Sequence, residues 1–288
     1  MRARVALPAV LACVAVAATL VTGCGGSSAV TGPAAEVTRL RVSGSGTCLP
    51  LLRILASGQP DEQVRLIFLP GLHSKGGIKG VMQGTLDIGA VSRDLTREER
   101  SPDFKVTWLS NDGIVVAVNQ SVGRLGIAGI TQQQVRDIYT GKITDWEQLG
   151  ATKKLPIVVL DRHEDESAKI IMRKYVFGGP DKLKVTKDSV NLYYESDMVD
   201  ALRTTTGAIG YFSLGYAISQ NVPVTLLKLD GVDPSVENVA SGAYKVVRPL
   251  GIVTKADAPK AVQSFVTWAT GPEARQIMIK KGYVPYSE

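Results

Sequence analysis

The stretch Arg39-Leu-Arg-Val-Ser-Gly-Ser-Gly-Thr-Cys-Leu-Pro-Leu-Leu-Arg-Ile-Leu-Ala56 decides the fold class. Arg39–Ser43 reads as a strand, and Leu51–Ala56 opens a helix. The loop between them, Ser43-Gly-Ser-Gly-Thr-Cys-Leu-Pro50, is rich in glycine and hydroxyls. Pro50 suits the first helical position, where a missing N–H costs nothing. The glycines let a ligand approach the backbone, and the free N–H groups beside Thr47 and Cys48 point at whatever sits there. A helix N-terminus carries about half a positive charge, so such a junction suits an anion. Gly/Ser turns before helices are common, and one junction alone does not specify a ligand.

The same strand–loop–helix unit recurs. Gly71-Leu-His-Ser-Lys-Gly-Gly-Ile-Lys79 follows the strand Val64–Leu69 and offers Ser74 and the N–H groups of Lys75 to Gly77. It is not a P-loop, because no Gly-Lys-Ser/Thr closes it. Asp161-Arg-His-Glu-Asp-Glu-Ser-Ala168 joins the strand Pro156–Asp161 to a helix through Ile170, Ile171 and Tyr175. Arg162 there presents a planar fork suited to an oxyanion. Further strands are expected at Asp87–Val91, Gly113–Asn119, Ala208–Phe212 and Val246–Thr254. Thr131 caps a helix that stops at Gly141, and Ser196 opens one that stops at Gly207. Val262, Phe265, Val266 and Ala269 recur at helical spacing, and Gly271-Pro272 starts a last helix ending at Gly282. Strands alternating with helices give an α/β class with largely parallel sheets.

Composition narrows the function classes. A chain of 288 residues, 44% apolar and 21% charged, is neither disordered nor a coiled coil. Its 33 Lys+Arg against 27 Asp+Glu are scattered rather than striped, which argues against nucleic acid. Residues 1–23 have the layout of a secretory signal: basic Met1-Arg-Ala-Arg4, then an apolar run Val5–Leu20 too short for a permanent span. Leu20-Val-Thr-Gly-Cys24 resembles a bacterial lipobox, which implies lipidation of Cys24 and anchoring by acyl chains alone. The alternative is an ordinary signal with a chance cysteine. Residues 24–36 then form a lipidated flexible tether, and the folded body begins near Val37. Loss of the signal lowers the formal charge of +6 by two and removes Cys13, leaving Cys48 without a disulfide partner.

Four stretches carry a family resemblance: Asp112-Gly-Ile-Val-Val-Ala-Val-Asn119, Ile130–Trp146, Thr206–Tyr216, and the ending Gly271-Pro-Glu-Ala-Arg275 with Lys281–Tyr286. They resemble the substrate-binding proteins of bacterial phosphate ABC importers, and the similarity covers nearly the whole chain beyond the tether. The resemblance implies the type II periplasmic-binding protein fold, two α/β lobes joined by two crossing strands with a ligand cleft between them. Lobe one would take 37–112 plus 248–288, and lobe two 113–247. It implies capture of phosphate or a related tetrahedral oxyanion in the cell envelope and delivery to an ABC permease in the cytoplasmic membrane. A monomer without cofactor, metal or catalytic residue is expected. Gly25 beside Cys24 leaves either membrane open to the anchor. By position, the family's binding loops match Thr47, Cys48 and Leu49, then Ser74, then Ser92, and Arg162 with its following loop. Ser45 and Gly46 are further candidates.

Two departures bear on the ligand. The family places an Asp where Ser92 stands, a carboxylate that accepts the proton of hydrogen phosphate. With Ser92 that filter is lost unless Asp94 replaces it, while Arg93 is either an added cationic donor or a surface residue. The family's Arg-x-x-x-Ser-Gly-Thr has become Arg162-His-Glu-Asp-Glu-Ser167-Ala. Acids at 164–166 would repel an anion by about 4 kcal/mol for like charges at ~4 Å and an effective dielectric of ~20. Asp165 and Glu166 are expected in a helix's first turn, facing solvent, which leaves Ser167 as the hydroxyl that reaches the cleft. Alternatively the acids pair with Arg162 or contact a cationic or hydroxylated ligand. His163 and its acidic neighbours are a poor metal shell on one loop. His73 reads as a turn residue, the tryptophans as packing, and Cys48 as core filler rather than a nucleophile. Competing functions are a receptor for a different small ligand, and a hydrolase or scaffold lipoprotein on the same fold.

Overall fold

The computed structural model describes residues 37–179 and 183–287; the expected signal, the Cys24 anchor and the tether lie outside the described residues. The chain begins with β1 (Thr38–Gly44), α1 (Cys48–Gly58), β2 (Val64–Phe68), α2 (His73–Met82) and β3 (Ile88–Val91). A long β4 (Phe104–Val118) follows, then α3 (Gln120–Gly123), β5 (Gly129–Ile130), α4 (Gln132–Tyr139), β6 (Val158–Arg162) and α5 (Ser167–Tyr175). Next come β7 (Val190–Leu192), α6 (Glu195–Thr204), β8 (Ala208–Ser213), α7 (Leu214–Ser219), β9 (Thr225–Leu226), β10 (Lys228–Leu229) and α8 (Val236–Ala240). β11 (Val247–Lys255), α9 (Lys260–Ala269), α10 (Pro272–Lys280) and β12 (Val284–Pro285) complete it.

The main sheet runs β2-β1-β3-β11-β4-β8-β6-β7. Its outer pairs are parallel: β1 with β2 and β3, and β6 with β7 and β8. Its centre is antiparallel, because β11 runs against β3 and β4, and β4 against β8. The expectation of largely parallel sheets therefore holds at the two flanks and fails in the middle. The physical reason is β4. Asn111-Asp112-Gly113 does not break it, since Phe104–Gly113 pairs with Val247–Lys255 along β11 and cross-strand partners override local turn chemistry.

The apolar core falls into separate clusters. One holds Leu40, Val42, Leu51, Leu52, Ile88, Leu250, Ile252, Phe265 and their neighbours, with a small satellite around Ile78, Val81 and Val253. Another holds Ile114–Val118, Ile138, Tyr139, Trp146, Met172, Ile209 and Phe212. β4 gives Leu109 to the first and Ile114–Val118 to the second. β11 likewise passes from Val247 at the second to Leu250 and Ile252 in the first. The two strands thread both cores side by side.

Local chemistry accounts for the helix ends. Thr131 Oγ1 accepts from the Gln134 N–H while the Gln134 side chain returns to the Thr131 N–H, the reciprocal cap expected there. Gly141 and Gly282 stop α4 and α10 at positive φ, 78° and 84°. Among the described residues no helix is long and apolar enough to cross a membrane.

Candidate functional site

The expected loops converge, and all of them leave the C-terminal ends of parallel strands. In open α/β sheets ligands bind outside those ends. From the β1–α1 loop come Ser45 and Thr47; Ser74 lies in the first turn of α2, and Ser92 follows β3. Gly44 makes the first loop possible. It sits at φ 130°, and a Cβ there would lie 2.3 Å from the Ala90 carbonyl oxygen. The hydroxyls form a connected group: Ser45 Oγ lies 2.6 Å from Ser92 Oγ, and the Ser92 N–H donates to Ser74 Oγ at 3.1 Å. Ser92 Oγ donates to Ser167 Oγ at 2.7 Å, and Arg248 Nη1 donates to the same Ser167 oxygen at 2.7 Å. Ser45, Thr47, Ser74, Ser92 and Ser167 are all buried.

Arg162 ends β6 with only 1% of the residue exposed. Its Nη2 lies 2.7 Å from Glu166 Oε2, a charge contact without hydrogen-bond alignment, and also donates to the Tyr193 carbonyl at 3.3 Å. Its Nη1 stands 3.7 Å from Glu195 Oε2. Arg162 Nε and Nη1 have no hydrogen-bond partner among the described residues. A buried guanidinium with two unspent donors is costly unless something accepts from them.

Not every expected residue joins this group. The Cys48 and Leu49 side chains pack into the first core, and both N–H groups donate to the Ser45 carbonyl at 3.0 Å, so neither amide is free as expected. The reason is that α1 already begins at Cys48, which makes Pro50 its third residue instead of its first. The Cys48 thiol donates to the Gly251 carbonyl, and burial pushes it up to about 12 despite that bond and nearby Arg248. Gly46 leaves open space where a side chain would be. Arg93 is corrected from candidate donor to structural pair: its fork closes on Glu99 at 2.7 and 2.8 Å. Trp146 is fully buried in the second core, its N–H on the Gly207 carbonyl.

The acidic loop divides. Glu164 and Asp165 are exposed, and Glu164 pairs with Arg173; both lie in the turn before α5, not in its first helical turn as expected for Asp165, because the helix begins only at Ser167. Glu166 departs from that expectation. It is 4% exposed, precedes α5 without capping it, and turns its carboxylate onto Arg162 and His73. Burial alone would push the Glu166 carboxyl up, but the His73 hydrogen bond and the charges of Arg162 and Arg248 hold it below the usual carboxylate value. His73 Nδ1 reaches Glu166 Oε1 at 2.8 Å from a backbone at φ 56°. A non-glycine residue in that conformation costs on the order of 1–3 kcal/mol and persists only where its surroundings hold it. Tyr193 packs edge-on against His73 at 4.5 Å between ring centres.

Three charged residues of the site were missed: Asp112, Glu195 and Arg248. Arg248 Nε and Nη2 both reach Asp112 Oδ2, at 3.2 and 3.1 Å. Asp112 Oδ1 accepts from Ser213 Oγ and the Gly215 N–H. Burial pushes the Asp112 carboxyl up, with Arg248 opposing. Glu195 accepts from the Ser213 N–H at 2.8 Å and from Thr47 Oγ1 at 3.0 Å. The available signal was a charged residue inside an apolar run, Asp112 before Ile114–Val118 and Arg248 within Val246–Thr254. Among the described residues no group of three or more His, Cys, Asp or Glu is placed to hold a metal ion.

This geometry has relatives. A family model described as a PBP superfamily domain matches residues 29–273, and the chain belongs to that superfamily. Phosphate-binding protein PstS of Bacillus subtilis strain 168 is 27% identical over 258 residues, covering 86% of this chain and 81% of its own. An ABC-transporter substrate-binding protein of Clostridium perfringens, assigned to phosphate and crystallised with phosphate bound, superposes with a TM-score of 0.75 at 29% identity. The match covers 87% of this chain and all of that one. An ABC-type phosphate transport receptor from Vibrio cholerae shares the fold, with a TM-score of 0.65 at 24% identity over 85% of this chain and 99% of its own. The fold is the type II periplasmic-binding protein fold.

Proposed function

We propose that this protein is the extracytoplasmic solute-binding component of an ABC importer and captures phosphate or a related tetrahedral oxyanion. One observation carries the reading: the buried Arg162 guanidinium, its Nε and Nη1 without a hydrogen bond among the described residues, meets Thr47 across Glu195, beside the linked hydroxyls of Ser45, Ser74, Ser92 and Ser167. A tetrahedral oxyanion has enough acceptor oxygens to engage that fork and several hydroxyls together. Phosphate binding by the relatives above supports the same ligand. The two cores act as lobes, 37–112 plus 248–288 and 113–247, hinged on β4 and β11. Thr47–Glu195, His73–Glu166 and Ser92–Ser167 are contacts between them. Opening breaks these contacts and admits the ion; closing removes water and strengthens each charged hydrogen bond.

No bond is made or broken in this scheme. The raised Cys48 thiol beside a carbonyl is poorly suited to attack a phosphoester, which counts against a hydrolase. A lipid on Cys24 would hold a monomer at the membrane near its permease. A receptor for a different polar ligand is the second reading, favoured by the Glu166 and Glu195 carboxylates in the site. Calorimetry of the full-length protein with phosphate, arsenate, sulfate, molybdate and tungstate tests the choice. Phosphate binding that Arg162→Ala abolishes is expected; silence toward every oxyanion rejects the proposal.

A further inference from the structure

We infer that Glu166 is a built-in competitor for the oxyanion: its carboxylate lies against Nη2 of the Arg162 guanidinium that the ion would take by Nε and Nη1, and a bound ion drives it off. The inference rests on the oxyanion reading above and sets the affinity and selectivity of that same site.

The first observation is what the three carboxylates facing Arg162 and Arg248 hold on to. Glu195 is fixed by a backbone N–H, that of Ser213, and by Thr47 Oγ1. Asp112 is fixed by the Gly215 N–H, Ser213 Oγ and a two-nitrogen grip from Arg248. Among the described residues Glu166 has no such backbone donor. Its Oε1 rests on the His73 side chain, and its Oε2 touches Arg162 Nη2 without hydrogen-bond alignment. Of the three, Glu166 is the one whose partners are side chains alone. It also sits at the end of the loop whose neighbours, Glu164 and Asp165, already face solvent.

The second observation is charge. Arg162 and Arg248 face Asp112, Glu166 and Glu195, while Lys169 is matched by Asp161. Two guanidiniums against three ionised carboxylates leave the group one net negative charge before any ligand enters. A divalent oxyanion added to an intact set would bring the total to minus three where water is excluded. Moving Glu166 out removes one of those charges and leaves Arg162 Nη2 donating to the Tyr193 carbonyl. The ion then takes the guanidinium by two nitrogens, where Glu166 touches one.

The third observation is steric. Ser92 Oγ and Ser167 Oγ are bonded to each other at 2.7 Å, which leaves no room for a ligand oxygen between them. Ser167 adjoins Glu166, so parting Ser92 from Ser167 and moving Glu166 off Arg162 are parts of one displacement of the start of α5.

The test is calorimetry with inorganic phosphate on the full-length protein and its Glu166→Gln, His73→Ala and Asp165→Asn variants. Glu166→Gln keeps the side-chain size and removes the charge; phosphate should bind at least tenfold tighter, about 1.4 kcal/mol. His73→Ala, which loosens the carboxylate without touching Arg162, should tighten binding by a smaller factor and keeps the test alive if Glu166→Gln does not fold. Asp165→Asn, one position away and exposed, should leave affinity unchanged. Wild-type binding with Glu166→Gln equal or weaker overturns this inference and leaves the oxyanion reading standing. Tightening of the same size in Asp165→Asn also overturns it, since general charge would then be the cause. If neither wild type nor Glu166→Gln takes up phosphate, arsenate or sulfate, the oxyanion reading fails and this inference with it.

Discussion

From residues 43–92 the site receives hydroxyls and the His73 ring; from residues 161–213 it receives the charges of Arg162, Glu166 and Glu195, with the Ser167 hydroxyl among them. The first side is set by backbone. Gly44 lies against Ala90, and Ser45, Ser74 and Ser92 bond one another, so their positions follow from β1, β3 and α2. The second side is set by charge balance across long distances in sequence. A neutral side of this kind fixes where a ligand's oxygens go, while the charged side decides whether an ion stays. Substitutions on the two sides should therefore fail differently.

The largest effect is expected in the fold itself, where β4 and β11 hold Asp112 and Arg248 against the charged side. Arg248→Met leaves Asp112 buried without its cation and removes one of the two that face Glu195, which should cost about 3–5 kcal/mol. Thermal unfolding should then fall by on the order of 10 °C for a body of this size; an unchanged midpoint would refute the structural role. Arg162→Ala comes next and should act on binding more than on folding. Truncating one partner of a buried charged pair costs about 2–5 kcal/mol, and phosphate titration should show that loss. On the neutral side, Ser92→Ala should cost only about 0.5–1.5 kcal/mol of phosphate binding, because it removes one hydroxyl from a set. A loss as great as that of Arg162→Ala would mean the two sides are not distinct.

Acid provides a smaller contrast. Glu166 is held below its usual carboxylate value, so its contribution to stability is full above about 4.5 and lost as pH falls through the folded value. Denaturation curves between pH 6 and pH 3 should decline less steeply in Glu166→Gln than in wild type. Parallel curves would show that Glu166 is not held by Arg162 and His73 in solution.

The contrast also explains what the sequence made legible. β1, β2, β3, β6, β8 and β11 were expected nearly at their observed bounds, and Thr131 and Gly141 bracket α4 as expected. Those features depend on neighbours in sequence. The hydroxyls at strand ends were legible for the same reason, since a glycine-rich turn before a helix is a local signal. Asp112 and Arg248 are 136 positions apart, and neither has meaning until β4 and β11 lie side by side. The first half of β4 was hidden in the same way, because Asn111-Asp112-Gly113 reads locally as a turn. Glu166 shows the limit most plainly. An acid just before a helix normally faces solvent; what turns it inward is Arg162, a pairing the sequence offered as an alternative, together with His73 at the start of α2, 93 positions earlier.

A crystal structure of the protein grown with phosphate tests the central claim most directly. The account predicts a tetrahedral ion accepting from Arg162 Nε and Nη1 and from hydroxyls of the Ser45–Ser92 group, with Glu166 turned away from the guanidinium. Glu166 still seated on Arg162, with phosphate bound elsewhere or not at all, would contradict it.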